Sequence, residues 1–70
     1  MIDAPAIAAR IRARLSLLGW SEADLGREIG QKSSNLSRWL TGRARPGTAN
    51  LIKIARALGV TVDTLLAEER

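Results

Sequence analysis

Seventy residues lie at the low end of what one domain needs, and a chain this short buries only about 60% of the surface its unfolded form exposes, so positions 1–70 are expected to form a single domain with a thin core. There is no Cys and no His, which excludes a disulfide framework and an imidazole or thiolate metal site and removes the commonest general base and the best nucleophile. Two Trp are the only aromatic residues, against the base-stacking platforms of RNA-recognition and OB-type modules, whereas eleven Lys and Arg over seven Asp and Glu give a net +4 that suits a polyanionic partner.

Asp3-Ala4-Pro5 reads as a helix start, with Asp3 or Ala4 near the cap and Pro5 in the first turn. Ile7, Ile11, Leu15 and Leu18 follow at helical spacing, one apolar stripe that Gly19 ends as a left-handed cap. Ser21-Glu22-Ala23-Asp24 resembles a capping box and opens a second, short helix with Leu25 and Ile29 inward and Gly30 as its stop. Residues 31–33 form a tight connector. Asn35 to Thr41 then make a third helix with Leu36, Trp39 and Leu40 on one side, closed by Gly42. The stretch Gly42-Arg43-Ala44-Arg45-Pro46-Gly47 is a loop rich in breakers and cations. Thr48 is expected to cap a fourth helix with Leu51, Ile54, Ala55 and Leu58 inward, ended by Gly59, and Thr61 to start a last helix carrying Val62, Leu65 and Leu66. No strand alternation, repeat or low-complexity tract is present. The expected fold is all-α, a compact bundle of five short helices.

The charge is not scattered. Between Glu28 and Asp63 there is no acidic residue, and that stretch holds Lys32, Arg38, Arg43, Arg45, Lys53 and Arg56. A basic face that tracks phosphates is one reading, and net charge for solubility the other. No apolar run approaches the ~20 residues that span a bilayer, and Arg10, Arg12 and Arg14 interrupt the only apolar stretch that could pass for a signal peptide. A membrane partner is therefore not expected. The thiol-free composition fits a reducing cytoplasm.

Helix, glycine-containing turn, helix is the helix-turn-helix pattern, here from Ser21 to Leu40 with Gly30 at its centre. Winding residues 33–41 at about 100° each gathers Leu36, Trp39 and Leu40 on one side. Ser34, Arg38 and Thr41 fall opposite, with Ser33 and Ser37 on one flank and Asn35 on the other. Small side chains on the outer arc let a helix approach base edges in the ~12 Å major groove, and Arg38 has the reach for a bidentate contact, most naturally with guanine. The same serines would also serve as plain caps and solvated surface.

The run Ser21-Glu22-Ala23-Asp24-Leu25-Gly26, then Ile29-Gly30, then Leu36-Ser37-Arg38-Trp39-Leu40-Thr41-Gly42-Arg43 and Pro46, resembles the Cro/CI (XRE, lambda-repressor-like) DNA-binding family. Leu51-Ile52-Lys53-Ile54-Ala55-Arg56-Ala57-Leu58-Gly59-Val60, followed by Asp63 and Leu65-Leu66, is similar to its closing helices, so the resemblance covers roughly residues 7–67. It implies that Ser33, Ser34 and Arg38, with Ser37 beside them, read bases. Lys32 would contact phosphate or a flanking base, and Arg43 and Arg45 the backbone or minor groove, with Asn35 and Thr41 at the phosphate edge. Ser21, at the start of the second helix, would sit on a phosphate. The implied partner is double-stranded DNA, as a palindromic operator bound by a homodimer that forms through the 43–48 loop and the last two helices, perhaps only on DNA. The implied activity is transcriptional regulation, repression before activation.

The chain departs from the family pattern in four places. Glu22 stands where Gln is preferred, and its carboxylate would repel phosphate. Gly26 replaces a small Ala, keeping close helix contact at roughly 1 kcal/mol of helix propensity. Leu40 and Leu15 stand where many members carry an interhelical ion pair, which implies an apolar contact instead. Lys32 replaces a capping hydroxyl, which shifts the start of the third helix to Ser33. Trp20, after the Gly19 turn, and Trp39 are read as core. Arg10 and Arg14 share a face of the first helix and need an anion nearby, either DNA phosphate or Asp24 or Glu28; Arg12 points elsewhere and is read as solvated. A protein-interaction module, antitoxin-like or adaptor, remains the alternative on the same fold. An enzyme and a cofactor are not expected, since no nucleophile–base pair or metal constellation can be assembled.

Overall fold

A computed structural model of the chain describes residues 3–66 and contains no strand among them. Helix α1 (Ala4–Leu18) starts on Asp3, which is extended and whose carboxylate accepts from the Ala6 amide at 3.0 Å, while Pro5 sits in the first turn, where a missing amide costs nothing. The remaining helices are α2 (Glu22–Ile29), α3 (Ser33–Leu40), α4 (Thr48–Leu58) and α5 (Val62–Leu66). The five expected helices are thus present in the expected order.

α3 begins at Ser33, the start that Lys32 implies and ahead of the Asn35 read from the apolar spacing, with extended Lys32 as its cap and Thr41 already outside it. α4 is capped by Gly47, not by Thr48, which is its first helical residue. A cap residue must be extended, and Gly47 takes that conformation (φ −65°, ψ 165°) directly after Pro46. Glycine at this position gives up only a few tenths of a kcal/mol against a capping hydroxyl, so the helix gains a residue at little cost.

Four helices terminate alike. After α1 to α4 a glycine (Gly19, Gly30, Gly42, Gly59) adopts a left-handed backbone, with φ between 69° and 77°. The next residue then donates back into the helix: Trp20 to Leu15 O (2.9 Å), Gln31 to Gly26 O (2.9 Å), Arg43 to Arg38 O (3.0 Å) and Val60 to Ala55 O (3.0 Å). This closure satisfies carbonyls that the helix itself leaves open. Trp20 and Val60 also pack against the core from this position, whereas α2 places Gln31 there, half-buried.

Ile7, Ile11 and Leu15 of α1 meet Leu25 and Ile29 of α2, Leu36, Trp39 and Leu40 of α3, Leu51, Ile54 and Leu58 of α4 and Leu65 of α5 in one cluster. α1 packs on α3, α4 and α5, and α2 packs on α3 and α4. Leu15 and Leu40 are both buried in this cluster, so the site of the family's ion pair is apolar here. Trp39 is buried and Trp20 partly so. Leu18 departs from the expected stripe at 38% exposed. Gly26 explains how α3 approaches α2. A Cβ there would stand 2.9 Å from Leu36 Cδ1 and 3.1 Å from Gln31 O.

Gly42 couples the end of α3 to the start of α1. Its φ is +77°, and an added Cβ would lie 2.9 Å from Pro5 Cα. Gly30 is equally left-handed, yet nothing lies within 4 Å of its Cβ position. Gly42→Ala is therefore expected to lose about 2–4 kcal/mol, from backbone strain plus crowding, and Gly30→Ala only the ~1–2 kcal/mol of strain. Urea midpoints of the two variants test this; equal losses would show that the approach to Pro5 is not tight.

The capping box of α2 is complete: the Ser21 amide donates to Asp24 Oδ2 at 2.8 Å and the Asp24 amide to Ser21 Oγ at 3.1 Å. The Ser21 amide, then its hydroxyl, hold the Asp24 carboxyl below its ordinary value of 3.8; desolvation opposes them, and the Arg27 guanidinium adds a smaller lowering effect. A depressed folded pKa means that this contribution is present above the unfolded value and is lost as pH falls through the folded one. The urea-midpoint gap between wild type and Asp24→Asn should therefore narrow as pH drops from about 5 toward 2; a gap constant over that range would contradict the capping role.

Candidate nucleic-acid interface

α3 has the two-sided character that the winding predicts. Leu36, Trp39 and Leu40 sink into the core, while Ser33, Ser34, Asn35, Ser37 and Arg38 are all exposed. Lys32, the α3 cap, is exposed and its side chain makes no capping bond. Thr41 follows the helix, and its hydroxyl donates to Ser37 O at 2.6 Å.

The loop after α3 is pinned from both sides. The amides of Arg43 and Ala44 donate to Arg38 O at 3.0 and 3.2 Å, Ala44 packs on the core, and Pro46 is buried. Arg43 and Arg45 alternate with these inward residues and are exposed. Lys32, the serine and arginine positions of α3, and the two loop arginines are thus all exposed within residues 32–45. Lys53 and Arg56, also in the acid-free stretch, border a shallow groove with Glu28, Ile29 and Ala57 instead.

Ser21 lies at the α2 start with its amide donating to Asp24 and its hydroxyl oxygen accepting from it, and Glu22 and Asp24 put two carboxylates in that first turn. The α1 arginines meet helix ends. Arg14 Nε donates to Leu58 O, the last residue of α4, at 2.9 Å. Arg10 Nη1 reaches Thr64 O and Leu65 O of α5, each at 3.4 Å. Carbonyls at helix C-termini carry partial negative charge and lack intrahelical partners, so they act as the anion that this pair of like charges requires. Asp24, one of the carboxylates considered for that role, pairs with Arg27. Arg12 is not a solvated bystander: Nη1 donates to Leu40 O at the end of α3.

Two residues that sequence reasoning did not single out also matter here. Gln31 Nε2 donates to Asn50 Oδ1 at 3.0 Å, and Gln31 Oε1 accepts from Asn35 Nδ2 at 3.1 Å. The available signal was a polar residue in the post-glycine slot where α1 and α4 carry Trp20 and Val60.

Among the described residues, no group of three His, Cys, Asp or Glu is placed to hold a metal ion, and no helix is long and apolar enough to cross a membrane. Comparison with known proteins agrees with the geometry. Residues 11–65 match the helix-turn-helix family model HTH_3. No curated protein matches the chain. The solved structure of a hypothetical transcription factor, NHTF from Neisseria, is similar at a TM-score of 0.84 and 30% identity, covering 90% of this chain and 72% of that one. The chain belongs to the helix-turn-helix family, of the XRE type, and so to a class of DNA-binding regulators.

Arg12 ties α1 to α3, so Arg12→Met should cost about 1–2 kcal/mol of stability, the scale of one part-buried charge-assisted hydrogen bond. Amide exchange should accelerate at Thr41 and Arg43, which close α3, and not at Gln31, which closes α2. Uniform acceleration at all three would contradict a local anchor.

Proposed function

We propose that this domain is a sequence-specific regulator that reads double-stranded DNA through the major groove, acting as a repressor. One observation carries the reading: Ser33, Ser34, Ser37 and Arg38 stand outward while Leu36, Trp39 and Leu40 of the same helix are buried, and Lys32, Arg43 and Arg45 flank that ridge. Small hydroxyls allow close approach, Arg38 supplies a bidentate donor pair for guanine, and the flanking cations suit phosphates. Thr41 lies at the phosphate edge, with its hydroxyl donated to Ser37 O. Arg10 and Arg14 each spend one guanidinium nitrogen on helix-end carbonyls and Ser21 Oγ accepts from the Asp24 amide, so all three keep donors for phosphate and stand at the edge of the proposed contact surface. The operator is palindromic and is bound by a homodimer with half-sites about 34 Å apart, assembled on DNA. The setting is a bacterial or phage-infected cytoplasm.

An interaction module on the same fold is favoured by one feature: Leu17 is 73% exposed and borders a shallow apolar groove with Ala13, Val60 and Leu65. Gel shift on random duplex at low and moderate salt separates the readings, since a module that does not read DNA leaves the duplex unshifted in both.

Arg38→Ala should relax preference at one base pair, costing about 1–3 kcal/mol on the best site and little on random duplex. Arg43→Ala should weaken all sequences alike and flatten the slope of log affinity against log salt by about 0.9. Equal losses on selected and random duplex for Arg38→Ala would overturn the base-reading role.

A further inference from the structure

Gln31 and Asn50 lie outside the proposed readout, yet they control one of its members. The post-glycine slot of α2 holds Gln31, half-buried, with both ends of its carboxamide engaged. Its nitrogen donates to Asn50 Oδ1 in the first turn of α4, and its oxygen accepts from Asn35 Nδ2 in the first turn of α3. The Gln31 amide is held as well, donating to Gly26 O at 2.9 Å. One side chain therefore joins the end of α2 to the starts of α3 and α4.

The direction of this relay decides what Asn35 offers. A carboxamide carries its donor on one branch and its acceptor on the other. With Nδ2 turned to Gln31, the remaining branch of exposed Asn35 is Oδ1, and no described residue donates to it. Phosphate oxygens only accept hydrogen bonds, so a phosphate could take the second Nδ2 hydrogen but would leave Oδ1 unpaired. The donors that DNA presents in the major groove are the amino groups of adenine and cytosine. The second hydrogen of Nδ2 remains for an adjacent acceptor, and adenine supplies one in N7.

We propose that Asn35 is a specificity-determining residue that accepts a hydrogen bond from a base amino group, adenine before cytosine, at the edge of the α3 ridge, and that Gln31 and Asn50 are positioning residues that hold its amide in that orientation. The proposal rests on the DNA-reading function above, and it moves Asn35 from a phosphate contact to a base contact. An untethered asparagine turns either branch outward with little preference; the relay removes that freedom before DNA arrives.

Site selection from a random duplex pool, followed by competition binding, tests it with wild type, Asn35→Ala, Asn50→Leu and Asn50→Asp. Aspartate only accepts, so it preserves the direction of the relay, whereas leucine breaks it. The expected result is one wild-type position that prefers adenine or cytosine. Asn35→Ala and Asn50→Leu flatten that preference by about tenfold, the scale of a single base contact. Asn50→Asp weakens all duplexes alike but keeps the ratio, and the guanine preference assigned to Arg38 stays in every variant. Gln31→Leu, which restores the apolar plug seen at Trp20 and Val60, carries the same expectation as Asn50→Leu and replaces it if that variant fails to fold. A consensus that survives Asn35→Ala, or one that Asn50→Asp loses as fully as Asn50→Leu, overturns the proposal alone. A wild type that selects no consensus overturns the DNA-reading function, and this inference with it.

Discussion

The fold depends on how short helices dispose of their open carbonyl ends. A helix of eight residues, such as α2 or α3, leaves its last carbonyls without intrahelical partners, and these are a large share of its backbone. Four left-handed glycines turn the chain so that the next residue returns its amide to those ends. α1 adds side-chain donors by sending Arg12 to α3, Arg14 to α4 and Arg10 to α5. Residues 10 and 14 share one face of α1 and residue 12 lies on another, which is why one helix reaches neighbours on both sides. The guanidinium groups meet the negative ends of three helix dipoles, so their charge is stabilising where it stands.

That arrangement changes what the net charge means. The +4 balance suggests a generally basic molecule, but the α1 arginines serve helix ends, Arg27 serves Asp24, and Lys53 and Arg56 border a groove beside Glu28. The exposed cations on α3 and at its two ends are Lys32, Arg38 and Arg43, with Arg45 in the same loop. A small number of well-placed charges on a ridge of hydroxyls suits recognition, in which phosphate contacts position the helix and base edges specify the site.

The polar relay at the turn is a different kind of constraint. Apolar residues after the glycine anchor α1 and α4 by burial, which has no direction. Gln31 anchors α2 by hydrogen bonds, which do have one, and so it links the packing of α4 to the presentation of Asn35. Gly26 makes this possible, since a side chain there would push on Leu36 and on the Gln31 carbonyl at once. Helix approach, turn geometry and the polarity of one amide are therefore coupled through a few atoms.

What the amino-acid order determined by itself was everything carried by neighbours within a turn or so: five helices in sequence, Asp3 and Ser21 as caps, the glycine stops, and the inward and outward arcs of α3. These follow from helical periodicity and from local hydrogen bonds, whose partners sit three or four residues apart. The start of α4 misread this local signal, because extended Gly47 after Pro46 serves as a cap without any hydroxyl. Tertiary structure alone decided the rest. Arg12 and Leu40 are separated by 28 positions, Arg14 and Leu58 by 44, and Gln31 and Asn50 by 19. A cation in a sequence does not state which helix end it will face, nor a carboxamide which way it will turn, until packing brings the partner within reach.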